Sequence, residues 1–286
     1  MISRRFSQVD VFSSEPFKGN PVAVVLDADG MDSAQMQQLA NWTNLSETTF
    51  VLAPQHPEAD YRLRIFSTSA EYPFAGHPTL GSARAWLDAG GTPKQTGRLV
   101  QECGAGLVEI RHDGGRLAFK APPMSRFGPV SEAERAQLAR GLGLAPERLL
   151  EASWLVNGPE WIGVRLQSAA EVLALVPDFE ALGELKVGVI GACPEGSAEQ
   201  FEVRTFMAKD AVREDPVTGS FNAGAAQWLI GAGLAPESYI ARQGTVLGRA
   251  GRIHVELLDG GVWIGGAATC CVSGTVLTEP GLTAAQ

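Results

Sequence analysis

Tyr61-Arg62-Leu63-Arg64-Ile65-Phe66 alternates apolar residues with arginines and ends in Arg-x-Phe, the period-two pattern of a half-buried strand. Phe201-Glu202-Val203-Arg204-Thr205-Phe206 repeats the alternation and the Arg-x-Phe ending at an offset of 140 (201 minus 61). Further on, Ala75-Gly76-His77-Pro78 aligns with Thr218-Gly219-Ser220-Phe221 at an offset of 143 (219 minus 76), so the second copy carries three extra turn residues. Gly81 and Ala83 then meet Gly224 and Ala226. The pattern predicts two matching helices, Pro78 to Ala89 and Ser220 to Ile230. Each carries a Trp-Leu pair (Trp86-Leu87, Trp228-Leu229) and stops at glycines, Gly90-Gly91 in one copy, Gly231 and Gly233 in the other. An ordered set of this kind is the mark of a long-period internal duplication.

Around this repeat, short strand-like runs such as Gln8-Val9-Asp10-Val11-Phe12, Pro21 to Leu26 and Thr48 to Leu52 are bounded by Gly, Pro, Ser or Asp. Helical patterns are fewer. Asp32-Ser33 is placed to cap a helix carrying Met36, Leu39 and Ala40, and Ser131 one carrying Leu138, Ala139 and Leu142 that ends near Gly141-Gly143. The fold class is therefore α+β with more strand than helix. A length of 286 residues with 45% hydrophobic and 19% charged content fits two domains. Their expected extents are 1–122 and 123–286, with the terminal strand free to cross to the first.

A net charge of -9 opposes a phosphate-binding surface, so nucleic acid is not an expected partner. No apolar run reaches the roughly 20 residues of a membrane span, and Met1 to Phe6 lacks a secretory apolar region, so a cytoplasmic protein is expected. Four cysteines, Cys103, Cys193, Cys270 and Cys271, imply no disulfide framework. The adjacent Cys270-Cys271 pair lacks zinc-ligand spacing and reads as buried strand thiols, so no metal site is expected. Gly104-Ala105-Gly106 reads as a hairpin turn rather than a nucleotide loop, and no cofactor is expected.

Both duplicated helices start beside a glycine, with backbone N–H groups that lack intrahelical partners. Each start is a potential seat for an anion, and under approximate two-fold symmetry both would face one interdomain cleft suited to a small carboxylate. An ordinary capped helix, with Pro78 in the first turn and Ser220 as cap, is the plainer alternative. Titratable residues collect at these starts: His77 at the first, Glu214, Asp215 and Ser220 at the second. The polar run Asn44-Leu45-Ser46-Glu47-Thr48-Thr49 places Glu47 at the edge of a further strand.

Several segments in this order resemble the PhzF-like family: Phe17-Lys18-Gly19-Asn20-Pro21, Asn44-Leu45-Ser46-Glu47-Thr48, Gly76-His77-Pro78-Thr79-Leu80-Gly81 and Glu214 to Ser220. Val156-Asn157-Gly158-Pro159, Gly265-Gly266 and Ser273-Gly274-Thr275 fit as well, so the likeness runs from about residue 6 to 278. The resemblance implies a diaminopimelate-epimerase-like fold, with two pseudo-symmetric domains each wrapping a mixed or antiparallel sheet around a central helix, and a homodimer. It also implies Glu47, His77 and Asp215 as catalytic residues, and Asn20, Ser46, Gly76, Gly219 and Ser220 as substrate-binding residues. Epimerases and racemases of this superfamily use a cysteine at each central-helix start. Here those positions are Ala75 and Thr218, which cannot deprotonate carbon.

The expected activity is thus a cofactor-independent isomerisation of a small unsaturated carboxylate resembling dihydro-hydroxyanthranilate. Glu47 would move the proton, its pKa raised by desolvation or by Asp215. Two alternatives stay open at this level: an amino-acid-type epimerase or racemase, and a non-catalytic ligand-binding protein that kept the cleft.

Overall fold

The computed structural model describes residues 1–113, 115–209 and 212–280. It divides into two compact units, Met1–Lys120 with the chain from Gly265 onward, and Ala121–Ile264.

The first unit contains β1 (Ile2–Val11), β2 (Asn20–Val25), α1 (Ser33–Thr43), β3 (Thr48–Leu52), β4 (Tyr61–Phe66), β5 (Glu71–Tyr72), α2 (Gly76–Asp88), β6 (Arg98–Cys103), β7 (Gly106–Asp113) and β8 (Arg116–Lys120). The second contains β9 (Arg126–Pro129), α3 (Glu132–Leu142), β10 (Glu151–Val156), β11 (Glu160–Leu166), α4 (Ala169–Ala174), α5 (Phe179–Leu182), β12 (Lys186–Ala192), β13 (Phe201–Met207), α6 (Gly219–Gly231), β14 (Ser238–Gln243) and β15 (Gly251–Leu258). The last strand, β16 (Gly261–Thr278), begins in the second unit and ends in the first.

In the first unit the strands run β1-β2-β3-β4-β6-β7-β8-β16, and the antiparallel pairing of β16 with β1 closes them into a ring. In the second the order is β16-β15-β14-β13-β12-β11-β10-β9. The sense of pairing repeats. From β1 through β7 it goes antiparallel, parallel, antiparallel, parallel, antiparallel, and from β10 through β15 it does the same. A parallel pair needs a crossover, which a helix supplies. The β4–α2–β6 and β13–α6–β14 units are therefore the two copies of the duplicated segment.

The duplication extends to side chains. Arg64 forks onto Glu71 at 2.7 and 2.6 Å, and Arg204 onto Glu214 at 2.8 and 2.9 Å. Each guanidinium also lies over the phenylalanine of its Arg-x-Phe, 5.1 Å from the Phe66 ring and 4.9 Å from the Phe206 ring. The three extra residues of the second copy fall between that phenylalanine and the paired glutamate (71 minus 66 is 5; 214 minus 206 is 8).

Helix α2 packs against β1, β2, β3, β4 and β8, strands from around the ring, and buries Leu80 and Ala83 completely. Such close packing requires small residues: a Cβ on Gly81 would stand 2.3 Å from Val22 Cγ1. Helix α6 packs against β10, β11 and β15 through Phe221, Ala223, Ala226 and Leu229. Both central helices begin earlier than their sequence predicts, at Gly76 and Gly219. Pro78 is tolerated inside the first turn because no carbonyl there awaits its missing N–H. Ser220 is accordingly a helical residue, and Thr218 is the cap position.

The outer helices carry the expected caps. Asp32 and Ser131 each close a capping box, with Gln35 and Glu134 respectively. Gly104-Ala105 turns the β6–β7 hairpin as expected. Cys270 and Cys271 lie on a strand but are half-exposed rather than buried. The register of β16 against β1 slips there, Val9 facing Cys270 and Gln8 facing Val272, so Cys271 has no opposing residue. No helix among the described residues is long and apolar enough to cross a membrane.

Candidate active site

Three local devices in the first unit bring Glu47 to the start of α2. Asn44 ends α1 in the left-handed conformation, φ 54°, which turns the chain sharply toward β3. The Thr43 and Thr48 hydroxyls, 2.7 Å apart, staple the two ends of that turn together. Thr49 then joins the Ser82 hydroxyl at 2.8 Å, locking β3 onto α2. Glu47 Oε2 lies 3.4 Å from His77 Nε2, and the two side chains are only 15% and 7% exposed. A carboxylate and an imidazole so placed are within ion-pair range of each other, outside hydrogen-bond geometry, and largely withdrawn from water.

Earlier in the same unit, Phe17 to Gly19 form a turn whose backbone is held by Asp10. The Asp10 carboxylate, 3% exposed, accepts N–H bonds from Lys18 and Gly19 at 2.8 Å each. Phe17 adopts φ 67°, and a Cβ on Gly19 would fall 2.1 Å from the Val11 carbonyl oxygen, so only glycine fits. Asn20, 1% exposed, follows as the first residue of β2. Ser46 lies in the turn immediately before Glu47.

The second unit presents a different polar group at its matching helix start. Asp215 Oδ2 accepts the Thr218 hydroxyl at 2.6 Å, and Thr218 Oγ1 is 2.6 Å from Thr205 Oγ1. Gln243, fully buried, donates to both threonine hydroxyls and accepts from the Thr218 N–H. The Thr218 proton is thus committed to Asp215. Ser220 Oγ accepts the Trp161 indole N–H at 2.9 Å, and its carbonyl accepts from Asn157 Nδ2 at 3.0 Å.

Neither central helix has a side-chain cap or an acidic residue in its first turn, whereas α1, α3, α4 and α5 are all capped by their own Asp or Ser. The sequence-predicted residues Gly76 and Gly219 therefore sit at helix starts that no side chain closes. Glu214, grouped with Asp215 in sequence, is instead tied to Arg204. Sequence reasoning missed Thr205, Trp161 and Gln243, which no local pattern singles out. Asp10 carried a signal, a lone carboxylate inside an apolar strand. Among the described residues no group of three or more His, Cys, Asp or Glu side chains is arranged to hold a metal ion.

The duplicated strand–helix units define the diaminopimelate-epimerase-like fold, and relatives named as isomerases place the chain among isomerases of that fold. Residues 9–274 match the family model of phenazine biosynthesis-like proteins, PhzC-PhzF. The chain is 39% identical to antisense-enhancing sequence 1 of Schizosaccharomyces pombe, covering 96% of this chain and 99% of that one. It is 38% identical to the trans-2,3-dihydro-3-hydroxyanthranilate isomerase of Pseudomonas aeruginosa, covering 76% of each. A crystal structure of an Enterococcus faecalis PhzF family protein superposes with a TM-score of 0.81 at 27% identity, covering 96% of this chain and all of the other. The chain belongs to the PhzF family of phenazine biosynthesis-like proteins.

Proposed function

We propose that this isomerase moves a proton between two carbons of a small unsaturated carboxylate, with Glu47 as the general acid and base and without a cofactor. The observation that carries the proposal is the Glu47–His77 pair, 3.4 Å apart and largely withdrawn from water. Glu47 takes a proton from a C–H next to the unsaturated system, and the C–H electron pair enters the π system. The same carboxyl then returns the proton to a different carbon, so the double bonds shift and the enzyme is regenerated. No electrons are gained or lost, so acid/base groups suffice for the chemistry.

His77 supports the charge that develops, and Asp215 and Ser220 are the further residues proposed to act on the substrate. A dihydro-hydroxyanthranilate is the substrate to try first, given the name of the Pseudomonas aeruginosa relative. Two-base epimerisation is disfavoured because the helix-cap positions hold Ala75, which has no proton to exchange, and Thr218, whose hydroxyl is bonded to Asp215. The homodimer that the family resemblance implies is part of the proposal.

The test is solvent-exchange NMR in D2O with trans-2,3-dihydro-3-hydroxyanthranilate, comparing the parent protein with Glu47→Gln. The parent should isomerise the compound, with deuterium appearing at the receiving carbon to the extent that the carboxyl's proton exchanges with solvent before its return. Glu47→Gln should lower turnover at least about 100-fold, in line with the loss of a general acid/base, while still binding the acid. Undiminished turnover in the variant would overturn the assignment.

A further inference from the structure

The β10–β11 hairpin of the second unit grips Ser220 at two points. From the turn, Asn157 Nδ2 donates to the Ser220 backbone carbonyl at 3.0 Å. From β11, Trp161 Nε1 donates to Ser220 Oγ at 2.9 Å. Both are buried, Asn157 8% and Trp161 2% exposed. The indole is held in place by Phe221, with ring centroids 5.8 Å apart in an edge-to-face arrangement.

An indole N–H can only donate. The bond from Trp161 therefore occupies a lone pair of the serine oxygen and leaves the serine's own proton pointed elsewhere. Without that bond the hydroxyl could rotate and either donate to or accept from a ligand. With it, one of the oxygen's two lone pairs is taken and the proton is directed away from the indole, which biases the hydroxyl toward donating to a ligand. Asn157 contributes by fixing the backbone of the same residue, so that the hydroxyl cannot escape by a shift of the first turn of α6.

We infer that Trp161 and Asn157 are positioning residues that set Ser220 as a hydrogen-bond donor and thereby select substrates presenting an acceptor, a carboxylate, at that point. This deepens the proposed function and rests on its reading of Ser220 as a substrate-binding residue. Neither Trp161 nor Asn157 is required to touch the substrate. Their effect passes through the direction of one proton.

The experiment measures KM and kcat of the full-length protein for trans-2,3-dihydro-3-hydroxyanthranilate in four forms: parent, Ser220→Ala, Trp161→Phe and the double variant. Trp161→Phe should raise KM about 3- to 10-fold, the worth of one aligned hydrogen bond, with kcat changed less than about twofold. In the Ser220→Ala background the same substitution should add nothing further. A full additional rise in that background would assign Trp161 a packing role only and overturn the inference. A normal KM in Trp161→Phe alongside a raised one in Ser220→Ala would overturn the inference and leave the binding role of Ser220 standing. A normal KM in Ser220→Ala, or a parent that neither binds nor converts the acid, would overturn both. Should Trp161→Phe fail to fold, Asn157→Ala is the second variant, with the same expected KM rise and the same dependence on Ser220.

Discussion

Asp10 shows how one buried carboxylate can organise a segment that no helix or strand holds. It accepts two backbone N–H groups, from the exposed Lys18 and from the buried Gly19. Asp10→Ala removes the acceptor of two backbone hydrogen bonds, the one from Gly19 buried, which should lower stability by about 1–3 kcal/mol, read as a drop in denaturant midpoint. The turn it secures carries Phe17 in the left-handed region and leads to Asn20, so the same substitution should also weaken substrate binding. Glu47 and His77 were legible from sequence as residues of the right chemistry, and their 3.4 Å separation was not. They stand 30 positions apart (77 minus 47), and the chain between must fold before they meet. Trp161 gave no signal at all, because an indole in an apolar strand reads as core, and only its bond to Ser220 shows otherwise.

Among elements, the duplicated Arg–Glu forks behave as a matched pair in different surroundings. Arg204 and Glu214 are 3% and 14% exposed, and Arg204 also donates to the carbonyls of Val172 and Leu175, which closes the end of α4. Arg64 and Glu71 are 20% and 42% exposed, within reach of solvent. Arg204→Ala strands a largely buried carboxylate and two carbonyls, so a loss of about 3–5 kcal/mol is expected. Arg64→Ala breaks a water-screened pair and should cost no more than about 1 kcal/mol. Thermal or chemical unfolding of the two variants side by side checks the contrast, and equal losses would contradict it. The caps at Asp32 and Ser131 were readable because capping is local, spanning three residues. The starts of α2 and α6 were misplaced because Gly76 and Gly219 are poor helix formers by propensity, and packing overrode that preference.

At the scale of the molecule, each unit buries one tyrosine whose hydroxyl is hard to ionise. Burial pushes Tyr61 well above its ordinary value, and Tyr239 is raised by the same cause. In the unfolded chain both would lose their protons near pH 10. Above that pH the unfolded state binds fewer protons than the folded one, so stability falls as pH rises. The contribution is intact below pH 10 and is lost progressively above it. Denaturant midpoints measured from pH 8 to 11 should drop above about pH 10, and Tyr239→Phe should soften the drop. A flat profile in the parent protein would contradict the assignment.

The sequence by itself determined the α+β class, the duplication, the two central helices and the family, and it nominated the candidate site residues. These are properties of local pattern and of composition repeated at a fixed distance, and a linear reading captures them. Tertiary structure decided which polar atoms face one another. It tied Glu214 to Arg204, committed the Thr218 proton to Asp215 and set the Trp161 indole on Ser220. The last bond joins residues 59 positions apart, and a hydrogen bond exists only within a few tenths of an ångström and a limited range of angles. Pattern along the chain carries no such distances, which packing of the folded sheets and helices alone fixes.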